Sequence, residues 1–280
     1  MRFDPAEIPR RVQPLRTVLV PLDGSALSRR ALPFAAALAA AANGRLVLVH
    51  ATWLPRAADP EWETLAPVLS GAEAAAAADL EAAAAPLRAR GLRVETRVYG
   101  QSPEVAIAKA ARDEHARFVV MASHARHGPG RWLFGSVAED VLRHTDVPVV
   151  VVPERAGDWW DGRHPLRIVV LLDETDLAEE ALGPACELAA SGGQLVLLRV
   201  VEPPEAVLDV GYAAKEGVGL VFGDALPHPA RLQPAVDHAY RYLDDVADRV
   251  RGVVPGVELR VDVGDACQAI ATRRPLPAPT

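Results

Sequence analysis

Along the first half of the chain, short apolar runs rich in Val and Leu alternate with longer stretches in which apolar residues recur at helical spacing. The runs predict strands at 17–22, 45–52, 92–99, 117–122 and 147–152, and the stretches between them predict helices over 26–42, 71–90, 103–115 and 136–145. Near-continuous apolar strands separated by helices build βαβ units, and so a parallel sheet buried on both faces. Local signals agree. Ser102 before Pro103 reads as an N-cap followed by proline at the first helical position, and Ser136 with Glu139 reads as a capping box. The alanine-rich stretch 73–90 reads as a helix covering the sheet, and 54–70 as a loop near the mouth of a site, equally a lid or a plain surface excursion.

The pattern repeats. TVLVPLDGSALSRRAL (17–32) returns as RIVVLLDETDLAEEAL (167–182), so that Asp23 and Asp173 hold the same position after a strand. Residues 43–53 return as 192–202, and 91–108 as 256–271. Such self-similarity implies a tandem duplication, with a complete domain over 15–153 and a second over 166–272. Between them, 153–165 is rich in Pro, Gly and charge and reads as a linker, with Trp159 and Trp160 expected to pack on a domain surface. The second copy reads as incomplete. After Ala271 only TRRPLPAPT follows, without counterparts of the fourth strand, its loop, the last helix or the fifth strand.

Composition narrows the classes. With 280 residues, half of them hydrophobic, sizeable cores can form. A net charge of −7 and the lack of any basic block argue against nucleic acid as a partner. The first residues carry charge and proline where a signal peptide is apolar, and the run 31–42 is interrupted by Pro33 and falls short of the roughly 20 residues that span a bilayer. A cytoplasmic protein with no membrane segment is expected. Cys186 and Cys267 lie outside any ligand spacing and are expected to be inert thiols. His50, His124 and His127 have no carboxylate or cysteine at usable spacing, so no metal is expected.

Candidate chemistry gathers at two places. Open parallel sheets bind ligands beyond the carboxyl ends of their strands, where the strand order reverses; here that falls between the first and fourth strands. Asp23 ends the first, and the loop from Ala122 to Gly135 leaves the fourth. Gly135 and Ser136 open a helix whose free N–H groups and dipole suit a phosphate. Arg126 and Arg131, and more weakly His127, supply counter-charge, while Asp23 can accept from a sugar hydroxyl or a base amine. Together they describe a site for a nucleoside phosphate. Gly130 to Ser136 has P-loop glycine spacing without the lysine, and Gly128-Pro129-Gly130 lacks the third glycine of a dinucleotide fingerprint. The plainer readings are that Asp23-Gly24-Ser25 is only a turn, and that Met121 only packs.

From VLVPLDGS through MASHARHGPGRWLFGSVAEDVLRHTDVPVVVVP, the first half resembles the universal stress protein family. The resemblance implies an α/β fold, flavodoxin-like or Rossmann-like, with an open five-stranded parallel sheet and helices on both faces. ATP-binding members write the loop Gly-x2-Gly-x9-Gly-(Ser/Thr); here those positions are Ala122, Ala125, Gly135 and Ser136, so the spacing stands while two glycines are alanines. If either alanine has to take a positive φ, its Cβ costs about 1 kcal/mol. By resemblance Pro21, Asp23 and Ala51 line an adenosine pocket, and Ala122, Ala125, Gly135, Ser136 and Val137 surround the triphosphate of ATP, with or without Mg2+.

The implied function is that of a regulatory or sensing module in stress response that binds an adenine nucleotide without turnover. The alternatives are a nucleotide-free dimerisation or interaction module of the same family, and a slow ATPase, for which no base beside a nucleophile is present. The family also implies a homodimer through the fifth strand, Val147–Val152; the sequence names no other protein partner. The second copy keeps Asp173 but has Leu171 in place of the proline and no phosphate loop, so one nucleotide site per chain is expected.

Overall fold

Val18, Leu19 and Val20 are wholly buried, as residues of a strand in the middle of a sheet covered on both faces have to be. The computed structural model describes residues 16–53, 62–123, 126–128, 131–133, 135–154, 165–190, 193–202 and 229–266. The chain divides into one unit over Gln13–Pro165 and another taking in Leu166–Thr280.

In the first unit the elements are β1 (Thr17–Pro21), α1 (Ala31–Ala41, entered through a 3-10 turn at Ser28–Arg30), β2 (Arg45–Ala51), α2 (Trp62–Ala89), β3 (Arg93–Tyr99), α3 (Pro103–Asp113), β4 (Phe118–Ser123), β5 (Arg126–Gly128), β6 (Arg131–Leu133), α4 (Ser136–His144) and β7 (Val149–Pro153). Five strands form one parallel sheet in the order β3-β2-β1-β4-β7. The chain works outward from β1 in one direction and then returns to its other side, so the order reverses between β1 and β4, as the sequence predicts.

On one face α3 and α4 bury Ile107, Ala110, Ala138 and Val141 against Leu19, Val47, Val49 and Val119. On α2, Ala76, Leu80, Ala83, Ala84 and Leu87 are buried at helical spacing, which gives this alanine-rich helix its inward stripe. At the amino edge of the sheet Arg45 bonds Glu95 at 2.6 Å and Glu114 at 3.0 Å, and Arg97 bonds Glu114 at 2.9 Å. This network ties β2, β3 and the end of α3 together at the edge away from the crevice.

Three local expectations are corrected. Residues 62–70, read as part of a loop, belong to α2; 54–61 lie outside the described residues, so a loop over 54–70 does not survive as a whole. The loop after β4 contains the antiparallel hairpin β5–β6, with Arg126 opposite Leu133 and Gly128 opposite Arg131. The capping box at Ser136 does not form. Gly135 is the N-cap, with φ −62° and ψ 154°, and no side chain caps the helix. The Gly135 N–H is held by Ser123 Oγ at 2.9 Å and its carbonyl takes the Glu139 N–H at 3.1 Å. Gly135 thus takes the N-cap place read for Ser136, which falls in the first turn of α4. Ser102 is the N-cap of α3 with Pro103 at the first helical position, as read, and its hydroxyl donates to Glu104 Oε1 at 2.5 Å rather than making a cap bond.

The second unit contains β8 (Arg167–Leu171), the short α5 (Asp176–Glu179), α6 (Leu182–Ala189), β9 (Gln194–Val201), α7 (Pro229–Val250) and β10 (Gly256–Val263). Its parallel sheet runs β10-β9-β8. Leu182 and Cys186 of α6 and Leu243, Val246 and Val250 of α7 pack on Val170, Leu195 and Leu197. Burial pushes the Cys186 thiol up to about 11, so it stays protonated and unreactive; Cys267, Trp159 and Trp160 lie outside the described residues. Among the described residues no strand pairs with the outer edge of β8, where Val169 and Leu171 stay largely exposed.

A buried polar knot holds the helices of this unit. Glu179, 5% exposed, accepts from the Tyr242 hydroxyl at 3.1 Å and from Arg249 Nη1 at 2.8 Å. Removing the carboxylate strands a guanidinium and a phenol in a low-dielectric setting, which is more damaging than losing an exposed ion pair. Glu179→Ala is expected to lower the stability of this unit by about 3 kcal/mol, seen as a lower urea midpoint for a transition of unchanged steepness.

Candidate functional site

The crevice begins where two strands part. β1 stays in register with β2 up to Pro21 opposite Val49, but its pairing with β4 covers only Val18 with Phe118 and Leu19 with Val119. Pro21 has no N–H to offer a ladder, and the pairing of β1 with β4 ends two residues before it. The gap is a cavity of about 220 Å³ lined by residues that include Pro21, Asp23, Ala51, Ala122 and Val137.

On the β1 side the chain turns at once. The Leu22 N–H bonds the Val49 carbonyl at 2.7 Å, and Gly24 then takes φ +81°, a conformation that disfavours any side chain. Asp23 Oδ1 accepts from the Ser25 N–H at 2.9 Å, while Ser28 Oγ accepts from the Asp23 N–H at 3.3 Å and donates to the Ser25 carbonyl at 3.1 Å. Partial burial pushes the Asp23 carboxyl up, but the hydrogen bonds from Ser25 and Ser28 outweigh it and hold the group below its ordinary value. Asp23 is thus a fixed carboxylate at the rim. The bland reading of the segment as a turn is correct as far as it goes, and the turn also aims the carboxylate.

On the β4 side, Ser123 is buried at the end of the strand and its hydroxyl closes the loop onto Gly135. Gly135 makes no side-chain cap bond, so among the described residues the first N–H groups of α4 keep the positive end of the helix open. The neighbouring α3, which lines the cavity with Pro103 and Ile107, is different. There the Ser102 hydroxyl and the backbone N–H of Glu104 hold the Glu104 carboxyl below its usual range, so the helix end already has its own anion. Of the two helices that reach the crevice, α4 is the one whose start has no such acidic group among the described residues.

Glycine at 135 answers to neither backbone nor packing. Its φ is −62°, and a Cβ there would lie 3.5 Å from Ser123 Oγ, an ordinary contact. Ala122 lies within β4 opposite Val152 and is absent from the residues of positive φ, so it carries no backbone strain. Ser136 is exposed, and its hydroxyl has no partner among the described residues. Ala125 lies outside the described residues. Arg126 and Arg131 are placed by backbone register alone, in β5 and β6.

The sequence misses Leu22, Ser28, Val49, Ile107 and Met121 as lining residues, and Ser123 as the loop clasp. Val49 was within reach, two positions before Ala51 on the same strand face. Met121 packs in the core and also faces the cavity. Ser123 carried the weak signal of a polar residue closing an apolar strand. No group of three or more His, Cys, Asp or Glu among the described residues is arranged to hold a metal ion.

The second unit repeats the turn with different chemistry. Asp173 accepts from the Thr175 N–H at 3.0 Å and hydroxyl at 2.6 Å, and Glu174 holds φ 71° where Gly24 stood in the first turn. A cavity of about 630 Å³ lies at the carboxyl ends of β8 and β9, with Asp173, Arg199 and Glu202 among its lining. No loop equivalent to that after β4 is present among the described residues of this unit.

Comparison with known proteins follows the same outline. Two solved structures share the fold across most of the chain: a universal stress protein from Archaeoglobus fulgidus (20% identity, 91% of this chain and 82% of that one, TM-score 0.54) and one from Pseudomonas aeruginosa (15% identity, 91% and 76%, TM-score 0.54). A universal stress protein in complex with cAMP is 28% identical over 51% of this chain and 99% of that one, with a TM-score of 0.38. None of the curated proteins matches the chain. The universal stress protein family model matches residues 14–153, half of the sequence and the whole of the sheet described above. The chain belongs to the universal stress protein family.

Proposed function

We propose that the first unit binds an adenine nucleotide, ATP in the first instance, as a regulatory or sensing module of the stress response, without turnover. The observation that carries this reading is the cavity between β1 and β4, with a fixed carboxylate at one wall and the uncapped start of α4 at the other. A polyphosphate suits the free amides and dipole of α4, and Asp23 suits a ribose hydroxyl or the base amine. Glycine at 135, which the backbone does not require, is accounted for by the close approach of a phosphate. Arg126 and Arg131 are the proposed source of counter-charge, and Mg2+ is expected to travel with the triphosphate rather than to occupy a site of its own.

No helix among the described residues is long and apolar enough to cross a membrane, and the cytoplasm is the proposed location. A second reading, a nucleotide-free interaction module, draws on one observation: the Ala122 methyl faces the cavity where the family's loop has glycine. The proposed assembly is a homodimer through β7, the edge strand of its sheet, and the second unit is proposed to be a duplicate of the first that adds no nucleotide site.

Calorimetric titration with ATP and magnesium is expected to give one site per chain. Asp23→Ala should weaken it by about tenfold, as the loss of a charged hydrogen bond does. A carboxyl held below its ordinary value stays ionised from neutral pH downward, so the Asp23 contribution should be constant between about pH 5 and 8 and fade only under more acid conditions. Absence of heat and of thermal stabilisation at millimolar ATP overturns the reading in favour of the nucleotide-free module.

Ser123→Ala frees the Gly135 N–H and with it the start of α4. The expected outcome is a several-fold loss of ATP affinity with little loss of adenosine affinity, measured in the same titration. Light scattering at micromolar concentration is expected to report a dimer, reduced to monomer by Val150→Lys on β7.

A further inference from the structure

We infer that Trp53 is the stacking platform for the purine ring, a specificity-determining residue at the outer end of the crevice; the inference rests on the nucleotide reading above. Trp53 is 71% exposed, an unusual state for the largest apolar side chain. Its place is not arbitrary. Val49 and Ala51 of β2 both line the cavity, and side chains two apart share one face of a strand. β2 ends at Ala51, but its ladder with β3 reaches one residue further, since the Thr52 N–H bonds the Tyr99 carbonyl at 2.8 Å and Thr52 is itself buried. Two positions past Ala51, just beyond that last ladder bond and outside the cavity's own lining, comes Trp53.

The chemistry of the crevice selects the occupant. The anion seat at α4 is on the β4 side, whereas β2 lies on the far side of β1. A nucleotide with its phosphates on α4 therefore extends its base toward Ala51 and beyond. The inner wall there is apolar, made by Val49, Ala51 and Ile107. An indole at the rim completes it with a flat, polarisable face, which is what a purine needs and a free phosphate or a sugar does not. Trp53 binds the base from the open side and covers it from water.

The test uses the full chain and three probes, ATP, adenosine and inorganic tripolyphosphate, titrated by calorimetry into wild type, Trp53→Ala and Trp53→Phe, with circular dichroism and a thermal melt verifying that each variant folds. Trp53→Ala should bind ATP and adenosine about tenfold more weakly, Trp53→Phe should recover most of the loss, and tripolyphosphate affinity should be the same in all three. Wild-type tryptophan fluorescence should change on adding adenosine, and that change should vanish in Trp53→Ala. Equal ATP affinity in wild type and Trp53→Ala overturns the inference and leaves the nucleotide reading standing. So does a loss that extends equally to tripolyphosphate. A wild type that binds neither ATP nor adenosine overturns both.

Discussion

The structure depends on the parting of two strands. β1 and β4 are neighbours, yet their pairing stops at Leu19 and Val119, while on its other side β1 stays paired with β2 to Pro21. A strand ladder that continued would have filled the space where the cavity now lies. Proline at 21 ends the donor side of that ladder, and the chain then turns away at Gly24 through a positive φ. What opens the crevice is therefore local and covalent, and it costs the core nothing, because Leu19, Val47, Val49 and Val119 stay packed beneath it.

Charge follows from that opening. The cavity brings together the end of β1, with a carboxylate that its own turn keeps ionised, and the start of α4, which has no side-chain cap among the described residues. Opposite polarity on facing walls favours a molecule that is itself polar along its length, with hydrogen-bond donors at one end and negative charge at the other. The arginine and glutamate network at the amino edge of the sheet is paired internally and leaves this end of the molecule untouched. At the crevice end itself, Arg29 pairs with Asp79 of α2 beside the Asp23 turn.

The strands and the strand order were legible in the sequence because period and residue type agree: buried parallel strands are apolar throughout, and four of the five in the first unit fall within a residue of expectation at each end. Asp23 and the loop after β4 were legible as a pair only through the rule that ligands bind where strand order reverses. Other features were hidden for physical reasons. Pro67 signals a break that α2 does not make. Ser136 with Glu139 has the right spacing for a capping box, yet the buried Ser123 hydroxyl captures Gly135, which takes the N-cap place instead. That bond spans the loop, and no local pattern encodes it.

The same clasp explains why two of the loop's small residues are not equivalent. At 122 the backbone is an ordinary strand, so the alanine found there adds one methyl to the cavity wall without straining φ. At 135 a methyl would also fit the protein itself, at van der Waals distance from Ser123 Oγ. The protein alone thus tolerates alanine at both positions, and it has alanine at only one. A ligand that touches the backbone at the helix start, but only passes the side of β4, would distinguish them in this way. In the proposed nucleotide complex, phosphate oxygens drawn to the N–H groups of α4 would pass close to the backbone at 135, where a Cβ would crowd them, whereas Ala122 would offer the ligand only an apolar wall.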